Sequence, residues 1–274
     1  MDAVVHTSLE SFDAATHDRL AADPVRNTVA ITSLDRIRRL PAEHPPVLIT
    51  FHDHGEVVGS LIRTPPWPYQ TADLPLAAVD LAVQIATELD PDAPGVTGPR
   101  TTSEAFATAT GKSCTESLAT RLYRLNELAP PIVDGIGRLA TEDDVELLAG
   151  WRQEFLDEAV PEAPAESTID HVRGSLRLGN GHVVWEMDNT PVAWAAGSLP
   201  QAGMTRVGPV YTPPERRRHG YGAAASAMIS QWALDQGADE VLLFADLTNP
   251  VSNSIYQRIG YEPVEDWAEF WWKP

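Results

Sequence analysis

From residue 136 onward, apolar runs and polar punctuation alternate in a way that spells out ten elements. Residues 136–139 read as a short strand. Thr141 then caps a helix with Asp143 and Asp144 in its first turn, where carboxylates complement the exposed amides. That helix sets Val145, Leu147, Leu148, Trp151 and Phe155 on one side. A loop bearing Pro161 and Pro164 follows, and Ser167 caps a second short helix around 171–178. Two apolar runs, 182–187 and 191–198, joined by Asp188-Asn189-Thr190, make a hairpin. Residues 204–211 form a third strand. Residues 221–234 are helical, with Met228, Ile229, Trp232 and Leu234 as core positions. The unbroken apolar run 241–245 is a strand buried on both faces. Residues 251–259 make a short helix closed by Gly260, and 261–272 a last strand, giving the order β-α-α-β-β-β-α-β-α-β.

The first half repeats part of this pattern. Residues 46–51, a turn at Asp53-His54-Gly55, and 56–63 make a hairpin, and 76–89 a helix. The hairpin ends in Thr64-Pro65-Pro66, a tripeptide that returns as Thr212-Pro213-Pro214. A shared string, a strand before it and a helix after it together point to an internal duplication. The seam lies near Ala129-Pro130-Pro131, which predicts domains at 1–130 and 131–274. Trp67-Pro68-Tyr69-Gln70 follows the first copy of the tripeptide, and a proline there removes an amide donor. The first half is therefore expected to be a degenerate copy.

The second copy is followed by different chemistry. Strand 204–211 runs into Thr212-Pro213-Pro214-Glu215-Arg216-Arg217-Arg218-His219-Gly220-Tyr221-Gly222-Ala223, three arginines and two glycines that open an alanine-rich helix. The first amides of a helix lack intrahelical partners and carry the positive end of its dipole, so the segment reads as an anion site suited to a pyrophosphate. Gly220-Tyr221-Gly222-Ala223-Ala224-Ala225 also fits the dinucleotide pattern G-x-G-x-x-G/A, but the 52 residues after Gly222 are too few for the further βα units of that fold. Gly111-Lys112-Ser113 is no phosphate loop, because Phe106 stands where that motif needs glycine.

Composition narrows the partners. A formal charge of −19 over 274 residues excludes a broad nucleic-acid surface; it reads mainly as a solvated acidic surface that aids solubility, and secondarily as a field that attracts a cationic substrate such as an amine. No apolar run is long enough to span a membrane. The first 20 residues carry Asp, Glu and His throughout and lack the apolar stretch of a signal peptide. The single cysteine, Cys114, excludes an internal disulfide and a cysteine-based zinc cluster, and fits a reducing, cytoplasmic setting.

Arg217-Arg218-His219-Gly220-Tyr221-Gly222 matches R-x-x-G-x-G/A, the acyl-CoA loop of the GNAT N-acetyltransferase superfamily. Asn249-Pro250-Val251-Ser252-Asn253-Ser254-Ile255-Tyr256-Gln257-Arg258-Ile259-Gly260-Tyr261 is similar to the second signature of that family, N-x-x-(S/A)-x-x-x-Y-x-x-x-G-F/Y. With the element order, the resemblance extends over about residues 136–273. It implies a mixed-sheet α/β fold in two tandem GNAT-like halves.

The resemblance also implies an activity: transfer of an acetyl group from acetyl-CoA to a primary amine of a small molecule or peptide, by direct attack on the thioester and without a metal. The backbone at Val210 and Thr212 would pair with the pantetheine arm, and the amides of Arg217, Arg218, His219, Gly220, Tyr221, Gly222 and Ala223 would wrap the pyrophosphate. Asn253 would lie beside the pantetheine or cap its own helix. Tyr256 would protonate the departing thiolate, and an amide near Val210 or Tyr211 would meet the oxyanion. The general base is not legible in the sequence: Glu154, Glu158 and Glu186 are the carboxylates considered, a water chain is the alternative, and His171 and His182 are read as ordinary polar residues. Trp271 and Trp272 are read as sheet packing at the seam between the halves, or as substrate lining. A monomer or homodimer is expected. The alternative is an acyl-CoA-binding sensor without turnover, which needs neither Tyr256 nor an acceptor cleft.

Overall fold

The computed structural model describes residues 1–40, 44–160 and 162–273, so Pro161 of the expected proline loop lies outside the described residues. The chain divides into two compact units, Met1–Thr120 with Glu265–Pro274, and Arg121–Val264. The division expected from the sequence, at 130/131, ran straight through the chain. The compact units instead part at 120/121, and the first recovers the last ten residues. Two long strands account for this, β6 (Cys114–Leu125) and β12 (Tyr261–Trp272), because each has residues in both units.

In the first unit the chain runs through β1 (Asp2–His6), α1 (Leu9–Ala22), α2 (Thr28–Arg39), β2 (Val47–Asp53), β3 (Glu56–Arg63), β4 (Tyr69–Gln70), α3 (Val79–Leu89), β5 (Gly95–Pro99) and α4 (Arg100–Thr110) before β6. Its strands lie in the order β1-β2-β3-β4-β5-β12. Only β4 and β5 are parallel among its registered neighbours. Ile49, Phe51, Leu61, Tyr69, Val96, Phe106 and Phe270 fill its core. Trp271 pairs with Gly95, and Trp272 packs on the same core, so the tandem tryptophans are sheet packing.

The second unit follows the same plan: β7 (Ile136–Leu139), α5 (Val145–Ala159), α6 (Thr168–Arg177), β8 (Gly181–Met187), β9 (Thr190–Gly197), β10 (Met204–Tyr211), α7 (Tyr221–Asp235), β11 (Glu240–Asp246) and α8 (Pro250–Arg258). Strand order is β7-β8-β9-β10-β11-β6, with β10 and β11 parallel. Each repeat therefore contributes five strands to one sheet, and the sixth strand beside them is the last strand of the other repeat. The duplication expected from the sequence is present in this element order, but the tripeptide that suggested it is not equivalent in the two copies. Thr64-Pro65-Pro66 follows β3, whereas Thr212-Pro213-Pro214 follows β10, the counterpart of β4. Tyr69–Gln70 is itself that short strand. The segment matching the arginine loop is 71–78.

Local chemistry explains the boundaries. Asp188 and Asn189 adopt φ of 50° and 61°, the left-handed pair that a two-residue hairpin turn demands. Thr141 donates its backbone N–H to the Asp144 carboxylate at 2.8 Å, closing a capping box ahead of α5. Ser167 caps α6 by accepting from the Asp170 amide at 3.2 Å. In α7, Ile229 is fully buried and Met228 and Trp232 pack at its margin. Leu234 is exposed, against the expectation, because the face on the sheet is built from Ala225, Ser226, Ile229, Ser230 and Ala233, and Leu234 falls off that stripe.

Candidate active site

In the second unit, α7 and α8 pack on one face of the sheet, with Val207, Ala195, Leu243 and Tyr261, while α5 and α6 pack on the other with Val184, Trp194 and Tyr211. The strands part at one place. β10 pairs with β11 from Met204↔Glu240 to Val207↔Leu243 and no further, although β11 continues to Asp246 and β10 to Tyr211. Against β9 the register jumps from Val207↔Gly197 to Val210↔Ala195, three steps on β10 for two on β9, a bulge that turns β10 away from its parallel neighbour. From Gly208 to Tyr211, backbone groups pointing away from β9 have no strand to receive them.

The loop after β10 leads into α7 through Gly220, whose φ of +85° suits glycine alone. A Cβ there would also stand 3.0 Å from Val133. Among the described residues, the amides of Arg218, His219, Gly220, Tyr221, Gly222 and Ala223 donate to no protein acceptor; the first bond of the turn is Ala224 N–H to Gly220 O. Gly220 as cap has no side chain to occupy them. Six neighbouring free donors at a helix N-terminus form an anion cradle. Gly222 keeps the cradle open, since a Cβ on it would lie 3.1 Å from the Thr212 hydroxyl.

Arg217 is placed differently from the expectation. Its amide donates to Pro214 O at 3.3 Å, so it is not one of the free donors. Its guanidinium donates to both carboxylate oxygens of Glu158 (3.0 and 2.6 Å) and to Thr212 O at 2.9 Å. It also lies 5.9 Å over the Tyr211 ring. The hydrogen bond with Glu158 raises its pKa further. Arg217 thus braces the loop against α5. Arg218, exposed and with φ of +67°, and His219, stacked on Tyr221 at 5.4 Å, remain at the loop surface.

The carboxylates considered as base are sorted by the same geometry. Glu158 is held by Arg217, and Glu186 by Arg138 at 2.8 Å. Glu154 is exposed and accepts from the Tyr211 hydroxyl, whose pKa is pushed to about 12 by burial and by that carboxylate.

Asn253 is occupied by structure: its Nδ2 donates to Asp246 O and Asn249 O, both at 2.7 Å, and its Oδ1 accepts from the Tyr123 hydroxyl at 2.7 Å. It pins α8 to the end of β11. Asn249 caps the helix by accepting from the Ser252 amide at 3.0 Å. Tyr256, one turn further on, is half-buried and packs edge-on against Tyr261 at 6.1 Å. Its hydroxyl has no protein partner among the described residues, and burial raises its pKa to about 12. It is a neutral, uncommitted proton donor at physiological pH.

His182 is part of the scaffold. Its Nδ1 accepts from the Trp194 indole at 3.2 Å, which places the proton of the neutral ring on Nε2, facing the Ser175 hydroxyl at 2.9 Å. Burial, with His171 and Arg152 nearby, lowers its pKa from 6.5 to about 4. Between those values the unfolded chain binds a proton that the folded chain does not, so stability falls as pH is lowered through the window. The loss approaches roughly 3 kcal/mol near pH 4. His182→Gln should flatten the pH dependence of urea unfolding between pH 6.5 and 4, and an unchanged slope would contradict this assignment.

In the first repeat, the segment matching the cradle is built differently. The amides of Thr71, Leu74 and Ala78 are donated to Thr97 O, Thr71 O and Pro75 O. The segment also carries the carboxylate of Asp73, held by Arg19 at 2.8 Å and Ser60 at 2.9 Å.

A mixed sheet whose parallel strands β10 and β11 part beside a helix N-terminus with free amides is the geometry of this half of the chain. Residues 145–261 match the acetyltransferase (GNAT) family model, and this half of the chain is a GNAT-family domain, of a family that uses acyl-CoA. A search of the curated proteins returns no match. Solved structures share the fold over nearly the whole length. A GNAT-family acetyltransferase from Colwellia psychrerythraea has a TM-score of 0.64 at 12% identity, covering 100% of both chains. A GCN5-related N-acetyltransferase from Kribbella flavida gives 0.61 at 20% identity, covering 91% of this chain and 96% of the other. A tandem GNAT protein from the clavulanic acid biosynthesis pathway gives 0.60 at 14% identity, covering 98% and 97%. Over the whole chain the fold is similar to that of this tandem GNAT protein.

Proposed function

We propose that this chain is an acetyl-CoA-dependent N-acetyltransferase acting on a primary amine of a small molecule or peptide, in a cytoplasmic setting, with one cofactor site per chain. The carrying observation is the run of six unpartnered amides, 218–223, set beside the point where β10 leaves β11. Those amides fit a pyrophosphate, and the edge of β10 left free at Val210, with Thr212 just beyond the strand and its carbonyl taken by Arg217, fits the amide groups of a pantetheine arm added as a strand. Acetyl-CoA supplies an activated acyl group. The amine nitrogen attacks the thioester carbonyl, the C–N bond forms, and the C–S bond breaks. Tyr256 Oη gives its proton to the departing sulfur, and the amine proton passes toward Glu154, the one carboxylate of the three without an ion pair. A backbone amide of β10 near Val210 or Tyr211 would meet the oxyanion. The first repeat, with Asp73 in place of arginines and three of the amides in 71–78 already bonded within the protein, serves as scaffold.

The test is thiol release from acetyl-CoA by the full chain across a panel of primary amines. Amine-dependent release with acetylated product supports the reading. CoA binding without turnover of any amine would sink it in favour of a sensor.

A further inference from the structure

Arg206 is the one charged residue in β10, an otherwise apolar or neutral strand in the middle of the second unit's sheet. Its neighbours Thr205 and Val207 face α7: Val207 packs with Ala225 and Ile229, and Thr205 lies with Ile229 over Gly197. Strand alternation puts Arg206 on the opposite face, the one that carries α5, Trp194 and Tyr211. Its backbone is fully used, donating to the Ser198 hydroxyl at 3.2 Å and accepting from the Ser198 amide at 3.1 Å.

The guanidinium is not used at all. Among the described residues it makes no hydrogen bond and no ion pair, whereas Arg63, Arg138, Arg152 and Arg217 each hold a carboxylate. Arg206 is half-buried, and burial alone, with no carboxylate opposing it, draws its pKa down to about 10. A sheltered cation with five idle donors is unfavourable in the free protein and gains strongly from an oxyanion. Its position says which one. Arg206 pairs with Leu242, one residue before the last β10–β11 pair, and so stands at the base of the splay. It is four residues, at most about 13 Å, from Val210, where the reacting carbonyl belongs. It lies on the face away from α7, so the cofactor phosphates at the α7 N-terminus are not its partner.

Resting on the transferase reading above, we infer that Arg206 binds an oxyanion of the acceptor, so that the substrate is a primary amine that also carries a carboxylate or phosphate. Matched acceptors test this: phenylalanine against phenylalaninamide, lysine against lysinamide, glycylglycine against its amide, and O-phosphoethanolamine against ethanolamine. For at least one pair the charged member should be favoured about 10-fold or more in kcat/KM. Arg206→Gln should lower kcat/KM for that member by roughly 10- to 100-fold, mainly through KM, and leave the neutral member and the affinity for CoA unchanged. Arg206→Lys should recover part of the loss. A carboxylate or phosphate origin is told by which pair responds. Equal use of both members by the wild type, an equal loss for both in Arg206→Gln, or a matching loss of CoA affinity would each overturn the inference while leaving the transferase reading intact. Binding of CoA with no turnover of any amine would overturn both.

Discussion

Tyr256→Phe should lower kcat by on the order of 100-fold or more and leave CoA affinity unchanged. Removal of a positioned proton donor has a cost of that size. The substitution deletes one oxygen and keeps the ring, so the edge-on contact with Tyr261 at 6.1 Å and the packing on the second unit's core survive. No protein group loses a partner, because the hydroxyl has none among the described residues. Any lost activity is therefore chemical in origin. Full activity in this variant would assign protonation of sulfur to water or another group. Loss of CoA binding or of melting temperature would show that the hydroxyl serves the structure.

Gly260→Ala should be the most destabilising single-methyl change in the second unit. Gly260 joins α8 to β12 with φ of +107°, and a Cβ there would stand 1.8 Å from the carbonyl oxygen of Glu127. The clash is with backbone, and that backbone is tied in place: Asn126 N–H donates to Gly260 O, and Ala129 N–H to Ile259 O, both at 3.0 Å. Neither side can yield without breaking these bonds and tilting the helix that carries Tyr256. The cost should reach about 4 kcal/mol, the range reserved for combined backbone strain and overpacking. In a chain of this size that lowers the melting temperature by roughly 10 °C. Gly237 is the control. Its φ is +87° but nothing lies within 4 Å of its Cβ position. Gly237→Ala should cost only about 1 kcal/mol. Similar melting temperatures for the two variants would contradict the steric argument.

The parts of the fold that could be read in the sequence are those in which local chemistry and tertiary role agree. Asp188-Asn189 wants a left-handed turn and lies in one; Thr141 and Ser167 want to cap helices and do; the run 241–245 wants two buried faces and has them. The elements of the first repeat outside the 46–63 hairpin and the 76–89 helix were opaque because they lack contrast. Helix α1 buries Phe12, Thr16 and Leu20, a stripe interrupted by a threonine that satisfies itself by donating to Phe12 O at 2.8 Å. Strand β4 is two residues long, too short to show alternation. Strand β6 mixes charged and apolar residues through its twelve positions, because its surroundings change along its length. The Thr-Pro-Pro repeat pointed to a real duplication through an accidental match, since prolines favour strand ends wherever they fall.

The site divides in the same way. The cradle was legible because glycine spacing and helix start are local facts. The side-chain roles were not, because they depend on partners far along the chain. Arg217 looked like a phosphate ligand until Glu158, 59 residues earlier, claimed it. Asn253 was open between a cofactor contact and its own helix, and its bonds to Asp246 O, Asn249 O and Tyr123, 130 residues earlier, make it a pin for α8. Arg206 did carry a sequence signal, a lone charge inside an apolar strand, but only the absence of a structural partner gives that signal meaning.

We propose that the 218–223 amides hold the diphosphate of one CoA per chain, in the second unit alone. Calorimetric titration of CoA into the full chain, beside the Gly222→Val variant, tests it most directly. Gly222 has an ordinary helical conformation, so valine is tolerated by the backbone but fills the space in front of Thr212 and the amides. The wild type should bind one CoA per chain and the variant at least about 10-fold more weakly, with a loss of stability of no more than about 1 kcal/mol. Two CoA molecules per chain, or undiminished binding by Gly222→Val, would contradict it.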